Sequence, residues 1–329
     1  MKPVNVLVTS AIGDECLRLI SSVGGVKLND VSGLLRSELK GDAVAREKFD
    51  ASLEDAEVIY GLRLPQDVIK KAPNLRWVQV MSAGVERFLD ADMRESAVVL
   101  TNVSGIHAIP ISEFVIGLML MFVKQSTVCL ELKQKSRWER ISPVVMTNKT
   151  VGIVGLGSIG QQVARLAKAF GMTVVATRRS SREGTRARNV DLMLPSGRLN
   201  ELLAQSDFVV LCVPFTLETA KLIGENELRT MKPSARLINI ARGGIIDEQA
   251  LIRALQEGWI AGAGLDVFAT EPLPHDSPLW ALPNVILSPH ISGTREDYVL
   301  AATKLFVDNL HRYLEGKRLL NIVNKTRGY

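Results

Sequence analysis

Residues 149–165, KTVGIVGLGSIGQQVAR, decide the fold. Val151, Ile153 and Val154 form the short apolar run expected of a strand buried on both faces of a parallel sheet. Gly155-Leu156-Gly157-Ser158-Ile159-Gly160 follows at once, and residues 161–170 read as the helix behind it. Strand, G-x-G-x-x-G and helix in that order are the setting in which these glycines mean dinucleotide binding. Gly155 permits the tight turn, Gly157 lets the backbone approach a pyrophosphate, and Gly160 lets the helix lie close on the strand. With Ser158 and Ile159 opening the helix, the anion meets the free N–H groups of the first turn.

The same strand–helix rhythm continues downstream. Residues 173–176, 208–213, 236–240, 262–266 and 285–288 are strand candidates, with helices expected at 199–204, 226–230 and 248–257. Counting 151–154, six parallel strands make a doubly wound Rossmann-like sheet. Upstream, strands at 4–9, 57–60, 77–80 and 98–101, with helices at 14–23 and 66–72, predict a second parallel-sheet unit of flavodoxin-like type. It lacks the glycine fingerprint and is expected to hold substrate. Between the units, residues 111–124 after Pro110 form a helix apolar on nearly every face from Phe114 onward, which predicts burial at an interface. Residues 131–148, with Trp138 and Pro143, read as a polar arm. An amphipathic helix over 295–314, with Val299, Ala302, Leu305, Phe306, Asn309 and Leu310 near helical spacing, would cross back to the first unit. The expected organisation is therefore α/β, with a discontinuous substrate domain (1–102 plus 295–329), a dinucleotide domain (103–294), and a cleft between them.

Composition narrows the function. A chain of 329 residues suggests two domains, and 47% hydrophobic with 23% charged residues is globular usage. A net charge of +5, from 40 basic against 35 acidic residues without long basic tracts, gives no reason to expect nucleic acid. The longest apolar run, 114–123, is ten residues, too short for a bilayer. With no signal peptide visible, a cytoplasmic protein without a membrane partner is expected. Cys16, Cys129 and Cys212 have neither metal nor disulfide spacing and read as buried thiols in a reducing compartment.

Three segments past strand ends carry candidate chemistry: Asn239-Ile240-Ala241-Arg242-Gly243-Gly244, Asp266-Val267-Phe268-Ala269-Thr270-Glu271-Pro272, and Ser288-Pro289-His290-Ile291-Ser292-Gly293. Ligands of open α/β sheets bind outside the carboxyl ends of strands, so an arginine, a glutamate and a histidine are directed to the side the glycine turn faces. Hydride transfer at a carbonyl carbon requires a proton at its oxygen, and histidine is suited to move one near neutral pH. A carboxylate fixes the ring tautomer, and a guanidinium offers a planar fork for a substrate carboxylate. Alone, each such residue is more often structural; three at strand ends of one sheet are not.

On these residues the chain resembles the D-2-hydroxyacid dehydrogenases over essentially its whole length. GIVGLGSIG (152–160), LINIARGGIIDEQAL (237–251), GAGLDVFATEPLP (262–274) and LPNVILSPHISG (282–293) carry the resemblance. It implies catalytic roles for Arg242 (carboxylate and carbonyl anchor), Glu271 (partner of the histidine) and His290 (acid/base), which stand 29 and 19 residues apart. Formate dehydrogenases share the architecture without the glutamate–histidine pairing, so Glu271 argues against that branch. The resemblance also implies that Val213, Pro214, Thr219, Ile240, Asp266, Ser292 and Gly293 border the cofactor, and that Ser82, Ala83 and Gly84, followed by Val85, hold the substrate carboxylate through backbone N–H groups. Glu86 stands where many members have Asp. His107, within the hinge-like 102–113, stands where others often have Asn and reads as a packing or cleft-edge residue. Leu62, Arg63 and Trp280 are candidates to shape the substrate pocket, and Trp138 to reach a partner subunit, since the resemblance implies a homodimer.

NAD-specific sites place an acid at the end of the second strand, roughly 20 residues past the glycines. Here that strand runs into Thr177-Arg178-Arg179-Ser180, without Asp or Glu. Guanidinium groups there would bind a 2′-phosphate, so NADP(H) is favoured over NAD(H). The expected activity is NADP(H)-dependent interconversion of a small 2-keto acid and its D-2-hydroxy acid, of the glyoxylate/hydroxypyruvate reductase type. A phosphoglycerate dehydrogenase-like enzyme and a non-enzymatic dinucleotide-sensing corepressor of the same fold are the alternatives.

Overall fold

Parallel strands buried on both faces need helices above and below, and both sheets of this chain have them. The computed structural model describes residues 2–38, 40–65 and 67–328, divided into two compact units. Met1–Ile106 and Arg295–Tyr329 form the first unit, and His107–Thr294 the second. The division after Ile106 falls four residues beyond the expected position. The cause is local: Val103 is buried in the first unit's core, and its N–H donates to the Ser82 carbonyl (3.2 Å).

The first unit contains β1 (Val4–Val8), β2 (Val26–Asp30), β3 (Val58–Gly61), β4 (Trp77–Val80) and β5 (Val99–Thr101), all parallel, in the order β2-β1-β3-β4-β5. Its helices are α1 (Gly13–Ser21), α2 (Ser32–Glu38), α3 (Ala43–Glu54), α4 (Val68–Lys71) and α5 (Ala91–Glu95). The short helix expected over 66–72 is observed as α4; Gln66 lies outside the described residues. Strand β2 and helices α2, α3 and α5 escape the sequence reading. β2 is an edge strand that buries no residue fully, so its pattern is weak. α3 did carry a local signal: Asp42 caps it, accepting from the N–H groups of Val44 and Ala45 (both 3.0 Å).

The second unit opens with α6 (Ala108–Val123) and α7 (Ser126–Gln134). Pro110 lies inside the first turn of α6 rather than before it, where its missing N–H costs no hydrogen bond. α6 is also not buried all round, since Phe114, Leu120, Met121 and Phe122 keep partial exposure. The arm expected from 131 is helical to Gln134 and becomes irregular only beyond it. The sheet follows: β6 (Thr150–Val154), β7 (Thr173–Arg178), β8 (Leu192–Pro195), β9 (Phe208–Leu211), β10 (Arg236–Asn239), β11 (Gly262–Leu265) and β12 (Val285–Leu287). Its order is β12-β11-β10-β9-β6-β7-β8, so it has seven strands, not six. The unexpected β8 is a four-residue edge strand ending in proline that buries only two residues. Helices α8 (Ser158–Ala169), α9 (Leu199–Gln205), α10 (Glu225–Thr230) and α11 (Glu248–Gln256) complete the unit. α6 and α8 cover one face, and α9, α10 and α11 cover the other.

The last helix, α12 (Tyr298–Leu314), returns to the first unit and packs with α1 over the sheet. Phe306 stacks on Tyr60 with ring centroids 4.2 Å apart and on Trp77 at 5.2 Å, contacts worth about 0.5–1.5 kcal/mol each beyond burial. Asn309 interrupts the apolar stripe for a reason: buried, it donates to Gln79 Oε1 (2.8 Å) and accepts from the Leu320 N–H (2.7 Å). Among the described residues no single helix is long and apolar enough to cross a membrane. The cysteines differ from one another. Cys16 is buried and Cys212 half-buried, but Cys129, expected to be buried, is exposed on α7, a helix without buried residues.

Candidate active site

The turn after β6 has the geometry that its glycines require. Gly155 has φ +100°, a region that disfavours side chains, and a Cβ there would stand 2.8 Å from Val213 Cγ1. A Cβ on Gly160 would meet the Gly155 carbonyl oxygen at 2.4 Å, so only glycine lets α8 lie this close to the strand. Gly157 is different, because a Cβ there meets nothing within 4 Å. Gly157 caps α8 without a side-chain hydrogen bond, and the first turn, begun by Ser158 and Ile159, contains no acid. Open space, unbonded N–H groups and the positive end of the helix dipole fit a pyrophosphate. The Thr177 carbonyl of β7 holds the turn from the other side, accepting from Gly155 and Leu156 N–H (3.1 and 3.0 Å). Arg178 ends β7 and is exposed, with Arg179 immediately beyond it. Cys212 follows β9, and burial pushes its thiol up to about 12, so it stays protonated and unreactive near neutral pH.

Arg242, Glu271 and His290 follow β10, β11 and β12, three successive neighbours in the sheet. The register aligns Asn239 with Leu265 and Leu265 with Leu287, so the three strand ends lie side by side. His290 Nδ1 donates to Glu271 Oε2 at 2.8 Å. Glu271 Oε1 accepts from the Phe268 N–H (3.1 Å), which fixes the carboxylate from behind. An ionised carboxylate only accepts, so Nδ1 carries the proton of this bond and Nε2 is left for a substrate. The imidazole and carboxylate both keep partial exposure, 49% and 37%, as groups that meet a ligand need.

The Arg242 turn packs against the same loop. A Cβ on Gly243 would overlap the Phe268 carbonyl carbon at 1.9 Å, so the arginine turn and the glutamate loop touch only because that residue is glycine. Buried Asn239 shapes the turn, donating from Nδ2 to the Arg242 carbonyl (2.9 Å) and accepting from the Ala241 N–H (3.1 Å). Sequence reading missed this role, although an asparagine at a strand end is a recognisable turn former.

Asp266, expected to border the cofactor, is fully buried, and its carboxylate engages the histidine loop. Its carboxylate accepts from Ser288 Oγ (2.6 Å), Ile291 N (2.9 Å) and Ser292 N (2.9 Å), and its carbonyl accepts from His290 N (2.9 Å). These bonds hold His290 at φ +55°, a conformation unusual for a side-chain-bearing residue. Pro214 and Thr219 belong to the loop after β9, where the Thr219 hydroxyl donates to the Pro214 carbonyl (2.7 Å). Ile240 is buried at the end of β10. Gly293 packs against His107, whose Nδ1 donates to the Gly293 carbonyl (3.1 Å).

In the first unit, Ser82, Ala83 and Gly84 form a braced turn. Ser82 Oγ donates to the Gly84 carbonyl (2.7 Å), Asn102 Nδ2 donates to the Ala83 carbonyl (2.8 Å), and the Tyr298 hydroxyl donates to the Met81 carbonyl. Burial raises the Tyr298 hydroxyl above its ordinary pKa, which keeps it a donor. Trp280 is exposed on the second unit, its indole N–H bonded to the Pro274 carbonyl (2.9 Å). Trp138 is almost wholly exposed.

A glycine-turn dinucleotide cradle beside a strand-end histidine–glutamate pair and an arginine defines the class, a nicotinamide-dependent dehydrogenase. Residues 116–292 match the profile of "D-isomer specific 2-hydroxyacid dehydrogenase, NAD binding domain". The chain is 34% identical, over 98% of its length, to D-3-phosphoglycerate dehydrogenase of Methanocaldococcus jannaschii, and spans 59% of that relative. It is 33% identical to glyoxylate reductase of Aeropyrum pernix, covering 99% of this chain and 97% of the relative. Its fold matches an NADPH-dependent glyoxylate/hydroxypyruvate reductase from Sinorhizobium meliloti, solved with NADP and sulfate, with TM-score 0.82 and 26% identity over 99% of this chain and 100% of that one. The chain belongs to the D-isomer specific 2-hydroxyacid dehydrogenase family. It is an oxidoreductase of 2-keto and 2-hydroxy acids that uses a nicotinamide dinucleotide.

Proposed function

We propose that the protein is an NADP(H)-dependent reductase of small 2-keto acids, of the glyoxylate/hydroxypyruvate type. The observation that carries this reading is the 2.8 Å His290–Glu271 bond on the strand ends next to the Arg242 turn. The bound dinucleotide would supply the hydride. The chain's own residues do the rest. His290, oriented through Nδ1 by Glu271, delivers its Nε2 proton to the carbonyl oxygen, and Glu271 balances the charged ring. Arg242 gives its planar fork to the substrate carboxylate and polarises the carbonyl, while the N–H groups of Ser82, Ala83 and Gly84 bind a carboxylate. Arg178 and Arg179 meet the 2′-phosphate in place of the acid that an NAD site carries; the NADP-bound S. meliloti reductase supports this choice. A cytoplasmic homodimer is part of the reading; the exposed apolar surface of Leu130, Trp138, Val144 and Val145 on α7 and the segment after it supports the second subunit.

In His290→Gln, kcat should fall by about 10²–10⁴ while the Kd for NADPH stays near wild type. Full turnover in that variant would exclude the mechanism. Steady-state kinetics with NADPH and NADH should give higher kcat/KM with NADPH, and Arg178→Asp with Arg179→Ala should shift preference toward NADH. A phosphoglycerate dehydrogenase activity is the second reading, favoured by the identity to the M. jannaschii enzyme. Assays with glyoxylate, hydroxypyruvate, phosphohydroxypyruvate and bulkier 2-keto acids separate the two.

A further inference from the structure

The loop after β9 puts an acid where β7 has none. Residues 214–219, Pro-Phe-Thr-Leu-Glu-Thr, fold on their own threonines. The Thr216 N–H donates to Thr219 Oγ1 (2.8 Å), the Thr219 hydroxyl donates to the Pro214 carbonyl (2.7 Å), and the Ala220 N–H donates to the Thr216 carbonyl (2.8 Å). The far side is tied to the arginine turn. The Lys221 N–H donates to the Gly244 carbonyl (2.9 Å), and the Phe215 ring occupies the space a Gly244 Cβ would enter, at 2.8 Å. From this braced loop Glu218 extends to the end of β7, with Oε2 3.7 Å from Arg179 Nη1.

We propose that Glu218 is a specificity-determining residue: a counterion of Arg179 supplied by the chain itself, which competes with the cofactor 2′-phosphate and narrows the preference for NADP(H) over NAD(H). The proposal rests on the NADP(H) reading above. A phosphate that takes the Arg179 fork must displace the carboxylate or lie within a few ångströms of it, and both cost binding energy. A ribose without the phosphate brings no charge to that point and incurs neither cost. The threonine-bonded loop keeps the backbone of Glu218 in place, so the carboxylate stays within reach of Arg179. Both side chains are at least half exposed, so the effect is that of a surface ion pair, about two- to fivefold in Kd, and salt weakens it.

The test is direct binding, by calorimetry, of NADPH, NADH and adenosine 2′-monophosphate to the wild type, Glu218→Gln, Arg179→Gln and the double variant, at low and high ionic strength. Glu218→Gln should tighten NADPH and adenosine 2′-monophosphate by about two- to fivefold at low salt and leave NADH unchanged. The gain should disappear in the Arg179→Gln background and shrink at high salt. An equal gain for NADH would overturn the proposal, because the loop rather than the phosphate would then be responding. So would an unchanged NADPH affinity in Glu218→Gln when Arg179→Gln weakens it, an outcome that leaves the cofactor reading intact. If Arg178→Gln with Arg179→Gln leaves the ratio of NADPH to NADH affinity unaltered, the cofactor reading itself fails, and Glu218 with it.

Discussion

Two junctions in this molecule pose the same backbone problem and solve it differently. In the first unit β1 leads into α1; in the second, β6 leads into α8. The first junction is fastened by side chains: the Thr9 hydroxyl donates to the Arg63 carbonyl (2.8 Å) and Ser10 Oγ accepts from the Leu62 N–H (2.7 Å). Asp14 and Glu15 then stand in the first turn of α1 and neutralise its positive end internally. Neither helix has a side-chain cap hydrogen bond among the described residues, but the second junction has three glycines and no acid in the first turn of α8. Helix N-termini attract anions wherever they occur; the difference here is that α1 carries its own negative charge in the first turn and α8 does not.

The same contrast holds for buried polar side chains. In the first unit Gln79, Thr303 and Asn309 bond across the core and fasten α12 to the sheet. In the second, Asn239 and Asp266 sit at strand ends and fasten the loops that carry Arg242 and His290. Asp266→Asn should break this arrangement most severely. An amide cannot accept from both the Ile291 and Ser292 N–H groups as the carboxylate does, so about 2–4 kcal/mol of stability should be lost, with a lower Tm by calorimetry and a lower kcat. An unchanged Tm would mean that the loop is held by something else.

Gly157→Asp would make the second junction resemble the first. The position has room and no positive φ, so the fold and Tm should be kept, since Asp is a good cap. NADPH binding should weaken by about tenfold or more, because the carboxylate takes the N–H groups and repels the pyrophosphate. Unaltered binding would remove α8 from the anion site. The smallest effect is the converse: Asp14→Asn with Glu15→Gln should cost about 0.3–1 kcal/mol in denaturant unfolding and leave the NADPH Kd unchanged. A change in that Kd would contradict the division of labour between the two junctions.

Much of this was legible locally. The glycine turn, the apolar strands of the second sheet and the helices between them appear in sequence because each is set by neighbours within a few residues. Strands β2 and β8 did not: β2 buries no residue fully, and β8 buries only two residues before its proline, so neither shows a strong apolar run. Asp266 shows another limit: its place near the glycine-turn side of the sheet was legible, but not that burial would turn its carboxylate toward the histidine loop. Glu218 shows a third. Reading along β7 finds no acid, because the acid near Arg179 arrives from the β9 loop.

Sequence alone determined that this chain holds a dinucleotide turn followed by an arginine, a glutamate and a histidine just past strands, because those are properties of short segments and their spacing. Only the tertiary structure decided that the three strands are adjacent and in register, that Glu271 reaches Nδ1 of His290, and that Gly243 lets the arginine turn rest on Phe268. The physical reason is that strand order and loop contact depend on how the whole sheet packs between its helices.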